Sequence, residues 1–157
     1  MKPLISFSLI FIFIFIFIFS VTGYTQNMAT KKIMAKFETE YIPEFKESLI
    51  YRTNNPALGK IVVIIDFESF GDNTEELDLA VRELNMVKGA ILFLAKDEVG
   101  SSSVEKGLKM LTIRKVDDVS KKEISLKEGN LLIATNSFDL KTIIGSAEIQ
   151  KFLEKNL

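Results

Sequence analysis

The chain contains no histidine, no cysteine and no tryptophan, and has only 3 prolines in its 157 residues. Without histidine it lacks the usual general base near neutral pH and the commonest zinc ligand. Without cysteine it has no thiol nucleophile, no thiolate metal site and no disulfide. Ser-His-Asp and Cys-His catalysis are therefore excluded by composition. An excess of either charge is missing too: 20 Lys and Arg stand against 21 Asp and Glu, a net charge of -1. Nothing in that balance draws a phosphate backbone, so nucleic acid is not an expected partner. What remains is carboxylate, lysine, hydroxyl and tyrosine chemistry, with hard cations such as calcium or magnesium on oxygen ligands.

Hydrophobic residues make up 47% of the chain, but many of them lie in one run, Leu4–Ser20, behind a positive start at Lys2. The length of that run falls between a signal-peptide core and a spanning helix. Val21-Thr22-Gly23 offers the small residues that signal peptidase reads, and the next basic pair is Lys31-Lys32. The pattern predicts a cleaved signal peptide over 1–23, with an uncleaved N-terminal anchor as the alternative. A secreted, periplasmic or extracellular protein follows, touching a membrane only through an uncleaved leader. A lead-in segment is expected over 24–44, and one globular domain over 45–157.

The domain is organised around 59–99, which predicts strand, helix, strand. Lys60–Asp66 is an apolar run without alternation, read as a strand with both faces buried. Asn73 followed by Glu76 has the spacing of a capping box. Leu77, Ala80, Val81, Leu84 and Val87 form one stripe of a helix over about 74–88, with Asp78, Arg82, Glu83 and Asn85 outward. Gly89 reads as its terminator. A second apolar run over 90–95 reads as a second central strand. Ser102 and Glu105 repeat the capping spacing at the head of a helix over about 102–111. Glu123–Lys127 and Leu131–Thr135, flanking Glu128-Gly129-Asn130, predict a hairpin, and 146–155 a closing helix. Ser48–Arg52 is a short strand candidate, and Pro43 is expected to end the segment before it. That segment, Ile33–Tyr41, fits a helix by its Ile33, Phe37, Tyr41 spacing and a strand by alternation. The fold class is α/β: a compact two- or three-layer domain with a mixed sheet.

Two groups of residues carry candidate chemistry. Asp66, Glu68 and Asp72 leave the first expected strand, and Asp97 the second. If they share an edge they form a calcium or magnesium site, which would allow a cation-dependent hydrolase or a cation-binding module. Otherwise no cofactor is expected, and these acids are loop and capping groups. The second group is Asp97, Glu98, Ser101 and Ser102, a polar turn at a helix start, with Phe70 as an aromatic neighbour. It reads as a ligand-binding turn or as a capping device. Phe67, Phe93 and Phe138 complete the aromatic set, with Phe93 expected in the core.

Phe67–Asp72, the helix to Val87, Lys88–Ala95, Lys96–Ser102 and Leu126–Ala134 together resemble the secreted domain of the interleukin-like EMT inducer family. The chain departs from that family at Glu68 and Val99, and in lacking its cysteines. The resemblance implies a compact secreted β-β-α fold without catalytic activity, acting as a signalling ligand or a binding module for carbohydrate or protein.

Overall fold

The computed structural model describes residues 28–136 and 144–157. The leader and Phe138 lie outside the described residues. Among the described residues no helix is long and apolar enough to cross a membrane.

The chain enters as α1 (Met28–Lys36), widens into a π-helical turn (Phe37–Tyr41) and continues as α2 (Ile42–Thr53). Helical spacing therefore decides the ambiguous segment, and Pro43 does not end it. Proline lacks an N–H and fits the first turn of a helix. The wider turn, in which the Ile42 N–H reaches the Phe37 carbonyl, resets the ladder immediately before it. Phe37 is fully buried, edge-on to Tyr41 at 5.2 Å and to Phe67 at 5.4 Å. The expected lead-in is thus, from Met28 onward, part of the packed domain. The expected strand over Ser48–Arg52 is the last turns of α2, because Phe45 and Leu49, four apart, point into the core. Asn54, at φ 52°, ends the helix in the left-handed conformation.

A 3₁₀ turn (Pro56–Lys60) leads into β1 (Val62–Ile65), the short helix α3 (Phe67–Phe70) and α4 (Thr74–Leu94). The second expected strand, 90–95, is the C-terminal end of α4 together with its C-cap, Ala95. Ala90 and Ile91 fall on the same inward stripe as Leu84 and Val87, and a short apolar run inside a buried helix mimics a buried strand. Gly89 does not close the helix. A Cβ there would come 3.1 Å from Ser146 Oγ, so the glycine admits close packing of the last helix. α5 (Glu98–Gly107) begins four residues earlier than expected, and Leu111 belongs to the next strand. β2 (Met110–Lys115), β3 (Glu123–Lys127), β4 (Asn130–Thr135) and α6 (Ser146–Asn156) complete the chain. The β3–β4 hairpin turns through Glu128 and Gly129, at φ 52° and 81°, as a two-residue hairpin requires.

The fold is α/β with a mixed sheet in the order β1-β2-β4-β3; β1, β2 and β4 are parallel, and β3 is antiparallel to β4. Among the described strands β1 lies at an edge, not the centre. Ile65, Leu111, Ile113, Leu131 and Ile133 face one core shared with Leu49, Leu77, Val87, Val104 and Ile149 of the helices. The alternate residues take no part in that core, and Val62 and Ile64 remain 48% and 41% exposed. The described residues thus form two layers.

Candidate functional site

A cleft of about 500 Å³ opens where the end of α2 meets the turn from α4 into α5. Arg52, Thr53, Asn54 and Asn55 line one wall; Ala95, Lys96, Asp97, Glu98, Ser101, Ser102 and Glu105 line the other. Local chemistry shapes both walls. The Thr53 hydroxyl donates to the Leu49 carbonyl at 2.6 Å and accepts from the Asn55 N–H at 3.3 Å. Asn55 Oδ1 accepts from the Ala57 N–H at 2.9 Å, capping the 3₁₀ turn. Its Nδ2 donates to Ser101 Oγ and to Glu105 Oε2, both at 3.0 Å, tying the walls together. Opposite, Asp97 Oδ1 accepts from the Gly100 N–H at 2.8 Å and caps α5. A Cβ on Gly100 would overlap the Leu94 carbonyl oxygen, so the turn requires glycine. Lys96 lies over the exposed Phe93 ring, 4.5 Å from its centroid; Phe93 is not a core residue.

Asp97, Glu98, Ser101 and Ser102 come together on this cleft, while Phe70 does not reach it. Its ring is 1% exposed, inside the core. The helix cap is Asp97, not Ser102, which lies one turn into α5. Arg52, Asn55, Lys96 and Glu105 were not assigned to a site by the sequence reading. Asn-Asn-Pro signals a turn, but its pairing with Ser101 joins residues 46 apart.

The carboxylates of the cation reading do not converge. Asp66 caps α3 through the Ser69 N–H at 3.3 Å, and Glu68 and Asp72 are exposed. α4's 21 residues, rising about 1.5 Å each, hold Asp72 and Asp97 at opposite ends of a helix about 30 Å long. Among the described residues no three acids are grouped to hold a metal ion.

A second polar group lies at the carboxyl ends of β2 and β4. Glu76, Ala80, Glu83 and Val87, spaced four, three and four, share α4's inner stripe, so Glu83 points inward at 2% exposure, contrary to expectation. Thr135 Oγ1 donates to Glu83 Oε1 at 2.8 Å, and among the described residues Glu83 Oε2 has no hydrogen-bond partner. Burial pushes the Glu83 carboxyl up to about 7; the Thr135 hydrogen bond, Lys122 and Arg82 oppose the rise, and Glu148 adds to it. Beside it, Lys115 Nζ pairs with Glu76 Oε2 at 2.8 Å and with Asp117 Oδ1 at 3.4 Å. Burial alone would lower the Lys115 ammonium's pKa, but Glu76 and Asp117 hold it above its ordinary value.

No family model, curated protein or solved structure matches the chain.

Proposed function

We propose that this chain is an exported, non-enzymatic interaction domain, of the interleukin-like EMT inducer kind, that holds a segment of a protein partner in the cleft between α2 and α5. The lining of the cleft carries this reading. Cations (Arg52, Lys96) and anions (Asp97, Glu98, Glu105) line it together with Ser101 and Ser102. That set matches the mixed charges and amides of a peptide. Carbohydrate, the other ligand class the resemblance implies, fits less well, since none of the lining residues is an aromatic on which a sugar could stack. The framing segments also carry exposed apolar side chains, with Tyr51 88% and Val99 78% exposed, and tyrosine is a common anchor of protein interfaces. The non-enzymatic reading fits the Ser101 hydroxyl, whose Oγ accepts from an Asn55 amide that takes no proton.

Peptide and glycan arrays probed with the protein secreted from full-length expression test the reading. Peptide binding that Ser102→Trp abolishes without lowering the melting temperature supports it. Binding to glycans alone, or peptide binding unchanged in Ser102→Trp, overturns it.

A further inference from the structure

Among the described residues β1 ends the sheet, and no strand pairs with its outer edge. In a parallel ladder alternate residues bond to the neighbouring strand. The Val62 N–H donates to the Lys109 carbonyl at 3.0 Å and the Asp66 N–H to the Ile113 carbonyl at 2.9 Å, so the even-numbered residues face β2. The backbone groups of Val63 and Ile65 therefore point away from the sheet. Among the described residues β2 is the only strand that pairs with β1. Such an edge is a template for a further strand, and natural edges are commonly protected by proline, lysine or a bulge within the strand. Val62–Ile65, VVII, has none of these. Its even-numbered side chains also lie on the sheet face that no described helix covers, an unusual exposure for parallel strands.

We infer that β1 pairs antiparallel with β1 of a second copy, joining the two sheets edge to edge about a two-fold axis at Val63. The strand is self-complementary in that alignment. Val63 exchanges its N–H and carbonyl with the Val63 of the second copy, and each Ile65 N–H donates to the opposite Ile61 carbonyl. The Ile61 N–H is already committed to the Leu58 carbonyl at 3.3 Å, which leaves the Ile61 carbonyl as the group that pairs. Val62 faces Ile64 as a non-hydrogen-bonded pair, the closest side-chain approach an antiparallel ladder offers. Lys60, the last residue of the 3₁₀ turn, and Asp66, the cap of α3, carry opposite charges at the two ends of the strand, and the antiparallel alignment brings each to the end that holds the other. Lys60 is exposed and makes no ion pair among the described residues. Asp66 gives Oδ1 to its cap, and its second carboxylate oxygen is the group the lysine would meet. Apolar centre and charged ends together select a second copy of this chain as the partner.

Sedimentation equilibrium on the protein secreted from full-length expression tests the pairing. The wild type forms a dimer that weakens as salt screens the Lys60–Asp66 attraction. Ile64→Lys, on an exposed position, raises the dimer dissociation constant about tenfold or more. Lys60→Glu sets a carboxylate against Asp66, so the dimer weakens and its salt dependence changes sign. If Ile64→Lys loses its fold, Val63→Pro serves instead, deleting the outward N–H of an edge residue without touching the β1–β2 bonds. A wild type that stays monomeric overturns the inference. So does a dimer whose affinity survives the β1 substitution, or whose salt dependence keeps its sign in Lys60→Glu.

Discussion

Thr135, the last residue of β4, gives its hydroxyl hydrogen to Glu83 in the middle of α4, across the layer between sheet and helix. The contact satisfies one carboxylate oxygen, and among the described residues the other, Oε2, is buried without a partner. An ionised carboxylate there is poorly solvated, which makes the folded state prefer the protonated acid.

Stability should therefore fall as pH rises. Glu83 titrates near 7 in the folded chain against 4.5 for a free side chain. Its contribution is fully present below the unfolded value and is lost as pH passes through the folded one. The difference corresponds to about 3 kcal/mol. Urea melts at pH 5 and pH 8 should show the wild type losing stability while Glu83→Gln loses less. Equal pH slopes in the two proteins would remove Glu83 as the cause.

The Glu76–Lys115 pair is nearly as deep, with side chains 9% and 12% exposed. Lys115→Met should destabilise by about 3 kcal/mol, because it strands a carboxylate whose one hydrogen bond among the described residues is to this lysine. Adding Glu76→Leu should recover most of that loss. A chemical-denaturation cycle over the four proteins reads the coupling, and a double variant no better than Lys115→Met would count against it.

At the cleft, the two capping readings of the α5 turn separate cleanly. Asp97→Ala should cost about 1 kcal/mol, the usual value of an N-cap. Ser102→Ala should stay within about 0.5 kcal/mol, since Ser102 caps nothing. Gly100→Ala should cost about 1–3 kcal/mol through its overlap with the Leu94 carbonyl. Thermal melts of the three variants rank them, and a Ser102→Ala loss as large as that of Asp97→Ala would reverse the assignment.

Glu128 sits at φ 52° without being glycine or asparagine. Glu128→Asn, which creates the favoured dipeptide for this hairpin turn, should stabilise by about 1 kcal/mol. An unchanged denaturation midpoint would show that the turn does not hold that conformation in solution.

The legible parts of the fold were those with local signals. Asn73 accepts from the Glu75 N–H at 3.0 Å and starts α4 where expected, the hairpin turns at Glu128-Gly129, and α6 begins at Ser146. Asp97, Glu98, Ser101 and Ser102 are neighbours in sequence and share a helix start, so their common wall was also readable. Three features were hidden for physical reasons. Ala90–Ala95 is apolar enough for a central strand, and only the unbroken stripe from Leu77 to Ile91 identifies it as helix. Glu83 looks outward by residue type, while its depth depends on Thr135, 52 positions later. The opposite wall of the cleft depends on Asn55, whose amide partners lie on α5.

The π-helical turn at Phe37–Tyr41 has a further consequence. It holds about one residue more than an α-helical turn, so α1 is out of phase with α2 by about 100° of rotation. Deleting any one residue of the turn would bring the two helices into register and swing α1 around the axis. Thr30 would leave the Asp72 carbonyl it now reaches at 3.1 Å, and the Pro43 ring would be driven toward the carbonyl four residues before it. The length of this short turn, more than its composition, sets which side of α1 faces the domain.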